Sequence, residues 1–89
     1  MKIAILGSGG REHAITYAIS KSKKTNKIYC IPGNAGTSTF AENIPIDINN
    51  FQEIYKFLDE KKIDLVIVGP EAPLVNGIVD YLEKYGIKV

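Results

Sequence analysis

With 89 residues, 45% of them hydrophobic and 24% charged, the chain suffices for one globular domain and leaves no room for a second. Eleven basic against ten acidic side chains give a net charge of +1, so no overall field draws it to nucleic acid or to an anionic membrane, and any anion must be held locally. No apolar stretch approaches the roughly 20 residues of a membrane span; the four apolar residues after Lys2 are too few for a secretory core, and a single cysteine forbids an internal disulfide, which predicts a soluble cytoplasmic protein.

The first apolar run, residues 2–6, is short, continuous instead of alternating, and rich in isoleucine, as expected of a strand covered on both faces. It stops at Gly7-Ser8-Gly9-Gly10-Arg11-Glu12-His13, which leads into a helical stripe of Ala14, Ile15, Ala18 and Ile19. A strand, a glycine loop and a helix start make an anion cradle: glycines allow close backbone approach, and the first free N–H groups of the helix point into the loop. Arg11 is the only arginine of the chain. A cation in a first helical turn opposes the macrodipole at a cost of roughly 0.3–1 kcal/mol. A bound phosphate or carboxylate would offset that through the planar guanidinium fork; a surface pair with Glu12 or another carboxylate is the alternative.

After a polar exit over residues 21–26, residues 27–31 read as a second buried strand, with Cys30 as a packed thiol that lacks the His or Cys company of a metal or catalytic site. Pro32-Gly33-Asn34-Ala35-Gly36-Thr37 reads as a loop with no helix after it. Residues 43–47, interrupted by Pro45, read as a very short or edge strand. Asn50 caps a second helix, with Glu53 completing a capping box and Phe51, Ile54, Tyr55 and Leu58 as its stripe. Residues 64–68 form the next strand and run into Gly69-Pro70-Glu71-Ala72-Pro73; a third helix starts near Pro73 or Leu74, with Leu74, Val75, Ile78, Val79 and Leu82 as its stripe. Gly86 suits a left-handed C′ position, and residues 87–89 read as the first half of a further strand, which predicts a fragment of a longer polypeptide. No repeat, low-complexity tract or linker interrupts the chain.

Alternating strands and helices predict an α/β fold, an open, doubly wound, mostly parallel sheet truncated after the start of its last strand. With strand order 3-2-1-4, the loops at 7–13, 32–37 and 69–73 leave neighbouring carboxyl ends and converge on the crevice where such sheets bind ligands. A dinucleotide fits poorly. Glu12 stands where the third fingerprint glycine belongs, and the second strand ends in Ile31-Pro32-Gly33 without the acid that holds the ribose hydroxyls. No Gly-Lys-Ser/Thr ending supports a P-loop. A smaller phosphorylated molecule remains, with its phosphate near Arg11 and Glu71 opposite as acceptor for sugar hydroxyls or an amine. A helix N-terminal acid is the other reading of Glu71. Asn34 and Thr37 offer further hydrogen bonds, though a turn-forming role explains Asn34 about as well, and His13 lacks the partners of a general base.

The three segments at 7–14, 32–37 and 69–77 resemble, in order and without a gap, the N-terminal domain of the phosphoribosylamine–glycine ligase family, the glycinamide ribonucleotide synthetases. The resemblance implies a Rossmann-like pre-ATP-grasp domain of a purine-biosynthetic ligase. That enzyme joins glycine to 5-phosphoribosylamine while ATP becomes ADP and phosphate; the glycine carboxylate is activated as an acyl phosphate and the sugar amine attacks it. It further implies Gly9, Gly10, Arg11 and Glu12 near the substrate and Glu71 near the ribose, with Asn34, Gly36 and Thr37 matching the motif. No catalytic residue and no metal ligand is expected in this chain. ATP with magnesium or manganese and most of the glycine chemistry belong to an ATP-grasp partner domain of the same polypeptide, so the fragment alone is expected to bind no cofactor and to be inactive. Two rivals stay open at this point: a dinucleotide-binding Rossmann module of an oxidoreductase, and a flavodoxin-like interaction domain without ligand.

Overall fold

The computed structural model describes residues 1–7, 10–69 and 75–89, with residues 10–13, 75 and 76 described by their backbone alone. Its elements are β1 (Lys2–Gly7), α1 (Gly10–Ser20), β2 (Lys27–Pro32), one 3₁₀ turn (Thr37–Thr39), β3 (Glu42–Asn43), α2 (Phe51–Glu60), β4 (Leu65–Val68) and α3 (Val75–Lys84). The strands form one parallel sheet, as the alternation of elements predicts, in the order β3-β2-β1-β4, the usual order for such a sheet.

Strand alternation explains the continuous apolar runs. Ile3 and Ile5 of β1 join Ile28 and Cys30 of β2 on the face covered by Ile15 and Ile19 of α1. Ala4 and Leu6 point the other way, into a larger cluster with Ile31, Ile54, Leu58, Val66, Ile78 and Leu82 under α2 and α3. Ile5, Ile54 and Leu82 are wholly excluded from solvent, and burying a side chain of this size is worth about 1.5–3 kcal/mol.

The stripe of α1 departs from the expected one. Ala14 and Ala18 are exposed, Ile15 and Ile19 half-buried, and Thr16 has no exposure at all. Ile15, Thr16 and Ile19 lie on one flank of a 3.6-residue helix, and this flank buries more carbon than the alanine flank does. The Thr16 hydroxyl tolerates burial because it lies 3.4 Å from the Cys30 Sγ on the strand beneath.

Both local signals around α2 and α3 take effect. Asn50 caps α2, its Oδ1 accepting from the Glu53 N–H at 3.1 Å. The return arm of the box runs between side chains instead, from Asn50 Nδ2 to Glu53 Oε2 at 2.9 Å, since the Asn50 N–H already donates to the Asp47 carbonyl. Helix α3 ends in a Schellman motif: Gly86, at φ +81°, donates to the Glu83 carbonyl, and Ile87 donates to that of Leu82, each at 3.0 Å. Ile78 and Leu82 are buried and Val79 half-buried as expected, while Pro73, Leu74 and the side chain of Val75 lie outside the described residues.

Three boundaries shift. The loop after β2 ends in the 3₁₀ turn where no helix was expected. The edge strand is only Glu42–Asn43, extended by one bond from the Ile44 N–H to the Cys30 carbonyl at 2.8 Å. Pro45 has no N–H with which to continue the ladder. Residues 87–89 are not a strand, yet the Lys88 carbonyl accepts from the Val66 N–H at 2.9 Å, which lays them beside β4.

Candidate functional site

The carboxyl ends of β2, β1 and β4 lie side by side, and backbone hydrogen bonds tie their exits together. Gly33 donates to the Gly7 carbonyl at 3.2 Å and Gly69 donates to that of Leu6 at 2.8 Å. The roots of the three predicted loops therefore meet at one rim of the sheet. Gly7 leaves β1 at φ +135°, a conformation that L side chains rarely adopt, and α1 begins three residues later at Gly10.

Of the predicted site residues, Gly10 is the first residue of α1, so the anion-directing end of that helix sits at the rim. Gly9 and Glu71 lie outside the described residues, as do the side chains of Arg11, Glu12 and His13.

The loop from Gly33 to the 3₁₀ turn is built on a set of mutual polar contacts. Asn34 Oδ1 accepts from the Thr37 N–H at 2.9 Å, and the Asn34 N–H donates to Thr37 Oγ1 at 2.8 Å. The single hydroxyl proton of Thr37 is shared between the Asn34 carbonyl at 2.9 Å and Asn43 Oδ1 at 2.8 Å. Asn43 Nδ2 donates to the same Asn34 carbonyl at 2.7 Å. Thr37, expected to offer a hydrogen bond to a ligand, is 0% exposed and uses its hydroxyl inside the loop. The turn-forming reading of Asn34 accounts for its Oδ1. Gly36 caps the 3₁₀ turn with ordinary dihedrals, φ −69° and ψ −41°, so no special backbone conformation requires glycine there.

Sequence reasoning missed Asn43, which it placed in an edge strand without a polar task. The available signal was an asparagine at the start of an edge strand, a position disfavoured for that residue unless its amide is used. Gly33 explains why the amide fits. A Cβ at Gly33 would stand 2.6 Å from Asn43 Cγ and 2.9 Å from Thr37 Oγ1, and nearer still to Asn43 Oδ1, and φ is +76°.

Two concavities lie elsewhere among the described residues. One of about 530 Å³ runs along the opening of β2 and the 3₁₀ turn, past Ser20, Lys27, Phe40 and Glu42. The other, about 640 Å³, lies between α2 and α3 and is lined by Tyr55, Tyr81 and Tyr85. Among the described residues no group of three or more His, Cys, Asp or Glu side chains is placed to hold a metal ion, and no helix is long and apolar enough to cross a membrane.

The family model described as phosphoribosylglycinamide synthetase, N domain, matches residues 1–89. Among curated proteins, the phosphoribosylamine–glycine ligase of Caldanaerobacter subterraneus subsp. tengcongensis is 48% identical over 89 residues, which is 100% of this chain and 21% of that protein. The Synechocystis ligase of the same name is 45% identical over 91 residues, 100% of this chain and 22% of its own length. The crystal structure of phosphoribosylamine–glycine ligase from Thermotoga maritima superposes with a TM-score of 0.63 at 28% identity, covering 97% of this chain and 25% of that one. The chain thus spans about a fifth of the length of the curated relatives it matches.

Proposed function

The chain belongs to the phosphoribosylglycinamide synthetase N-domain family, and from that membership we propose that it is the sugar-phosphate-positioning domain of an ATP-dependent ligase that joins glycine to 5-phosphoribosylamine. The observation that carries the reading is the family match over residues 1–89, from the strand before the glycine loop to the residues beside β4. The convergence of three loop roots at one rim supports it with a place for the substrate.

In this reading the phosphate of the amino sugar sits over Gly9 and Gly10 at the start of α1, where helix N–H groups and the Arg11 guanidinium neutralise it. Glu12 lies beside that phosphate, and Glu71 accepts hydrogen bonds from the ribose hydroxyls. Asn34, Gly36 and Thr37 shape the loop wall that closes the crevice beside β2. Held at both ends, the sugar presents its amine to the acyl phosphate of glycine. The domain's contribution is orientation, a proximity effect, with no proton transfer assigned to its side chains. ATP, its magnesium or manganese, and the glycine site belong to the ATP-grasp remainder of the polypeptide.

The test is Arg11→Ala in the full-length ligase. Loss of one charge-assisted bond to phosphate, about 1.5–3 kcal/mol, lowers kcat/KM for 5-phosphoribosylamine roughly 10- to 150-fold, while KM for ATP and for glycine stays put. An unchanged specificity constant removes Arg11 from the site.

A further inference from the structure

Asn43 stands on the edge strand β3, yet both polar atoms of its side chain serve the loop that follows β2. Its Nδ2 donates to the Asn34 carbonyl at 2.7 Å, and its Oδ1 accepts from Thr37 Oγ1 at 2.8 Å. It lies against Gly33, whose missing Cβ leaves the space that the amide occupies. Gly33 in turn donates its N–H to the carbonyl of Gly7, the residue that opens the glycine loop. An unbroken path of close contacts thus runs from an edge-strand side chain to the mouth of the crevice.

We propose that Asn43 is a positioning residue for the sugar-phosphate site, fixing the wall at 33–37 against the start of the glycine loop through Asn34, Thr37 and Gly33. The inference rests on the reading of the crevice given above. An amide is needed because the position must donate on one side, to a carbonyl, and accept on the other, from a hydroxyl. A carboxylate of the same shape still accepts from Thr37 but sets an anion against the Asn34 carbonyl. A shift of the wall alters how the sugar is held, and leaves nucleotide and glycine sites on other parts of the polypeptide untouched.

The experiment compares Asn43→Asp with wild type and with Arg11→Ala in the full-length ligase, measuring KM separately for 5-phosphoribosylamine, glycine and ATP. The expected result is a rise of about tenfold in KM for the amino sugar, the scale of one lost buried hydrogen bond, with the other two KM values and kcat within about a factor of two. A merely structural role would reduce the folded fraction and lower the apparent kcat with all three KM values unmoved. Should Asn43→Asp fail to fold, Thr37→Val, which keeps the side-chain shape and removes the hydroxyl, carries the same test with the same expected split. Unmoved sugar KM, or equal changes for all three substrates, overturns the role of Asn43 where Arg11→Ala still acts selectively. If Arg11→Ala leaves the sugar kinetics unchanged as well, the assignment of the crevice itself falls, and the inference with it.

Discussion

Replacing Gly33 by alanine tests the loop's construction directly, because two separable penalties meet at that position. The backbone stands at φ +76°, and an L side chain in the left-handed region costs about 1–2 kcal/mol. The new methyl would also press on Asn43 Cγ at 2.6 Å and Thr37 Oγ1 at 2.9 Å. Asn43 can yield only by giving up its bonds to Asn34 and Thr37, about 0.5–1.5 kcal/mol each. Reduced freedom of the unfolded chain returns about 0.4–1 kcal/mol, so the net loss is about 1–5 kcal/mol, centred near 3. Gly86 supplies the control: its φ is +81°, yet a Cβ there meets nothing within 4 Å. Gly86→Ala therefore carries only the backbone penalty less the same return, about 0–1.6 kcal/mol, so the two variants should differ by the roughly 1–3 kcal/mol of the two lost Asn43 bonds. Urea denaturation of the wild-type chain and both variants, followed by far-UV circular dichroism, measures the difference. Equal losses at the two glycines would refute the claim that Asn43 fills the space over Gly33.

Two further outcomes are expected. Partial burial, then the charge and hydrogen bond of Tyr85 and the charge of Tyr55, hold the Tyr81 phenol above its ordinary 10.0. The folded state therefore keeps this proton more tightly than the unfolded chain, and the stability it contributes is intact below pH about 10 and lost as pH rises through the folded-state value. In a phenolate absorbance titration Tyr85→Phe should bring the Tyr81 midpoint down, and an unmoved midpoint would show that Tyr85 does not act on it. Cys30 has no solvent exposure, so a thiol reagent should label it only in denaturant, at the rate of a free thiol; rapid labelling under native conditions would contradict the packing of β2 beneath α1.

Much of the fold was legible because its signals are local or periodic. Continuous apolar runs at β1, β2 and β4 required burial on both faces, and the sheet provides it through Ile3 and Ile5 on one side and Ala4 and Leu6 on the other. The Asn50 cap and the left-handed Gly86 follow from backbone sterics and from helix ends that lack internal partners, whatever surrounds them. Alternation of elements and the handedness of crossovers limited the strand orders, and the usual one, 3-2-1-4, is the one the sheet adopts.

Where the reading strayed, the deciding partner was distant in the chain. The expected stripe of α1 leaves out Thr16, whose buried hydroxyl lies beside Cys30, 14 residues on. Asn43 reads in the sequence only as part of an edge strand, yet it reaches across to share the Thr37 hydroxyl and to donate to the Asn34 carbonyl. The sequence by itself determined the three long strands, the three helices and the rim where the loops meet, because hydrophobic periodicity and chain-end sterics act within a few residues. Only the tertiary structure decided which polar side chains the fold keeps for itself, because a buried donor or acceptor must find its partner wherever packing brings one within reach.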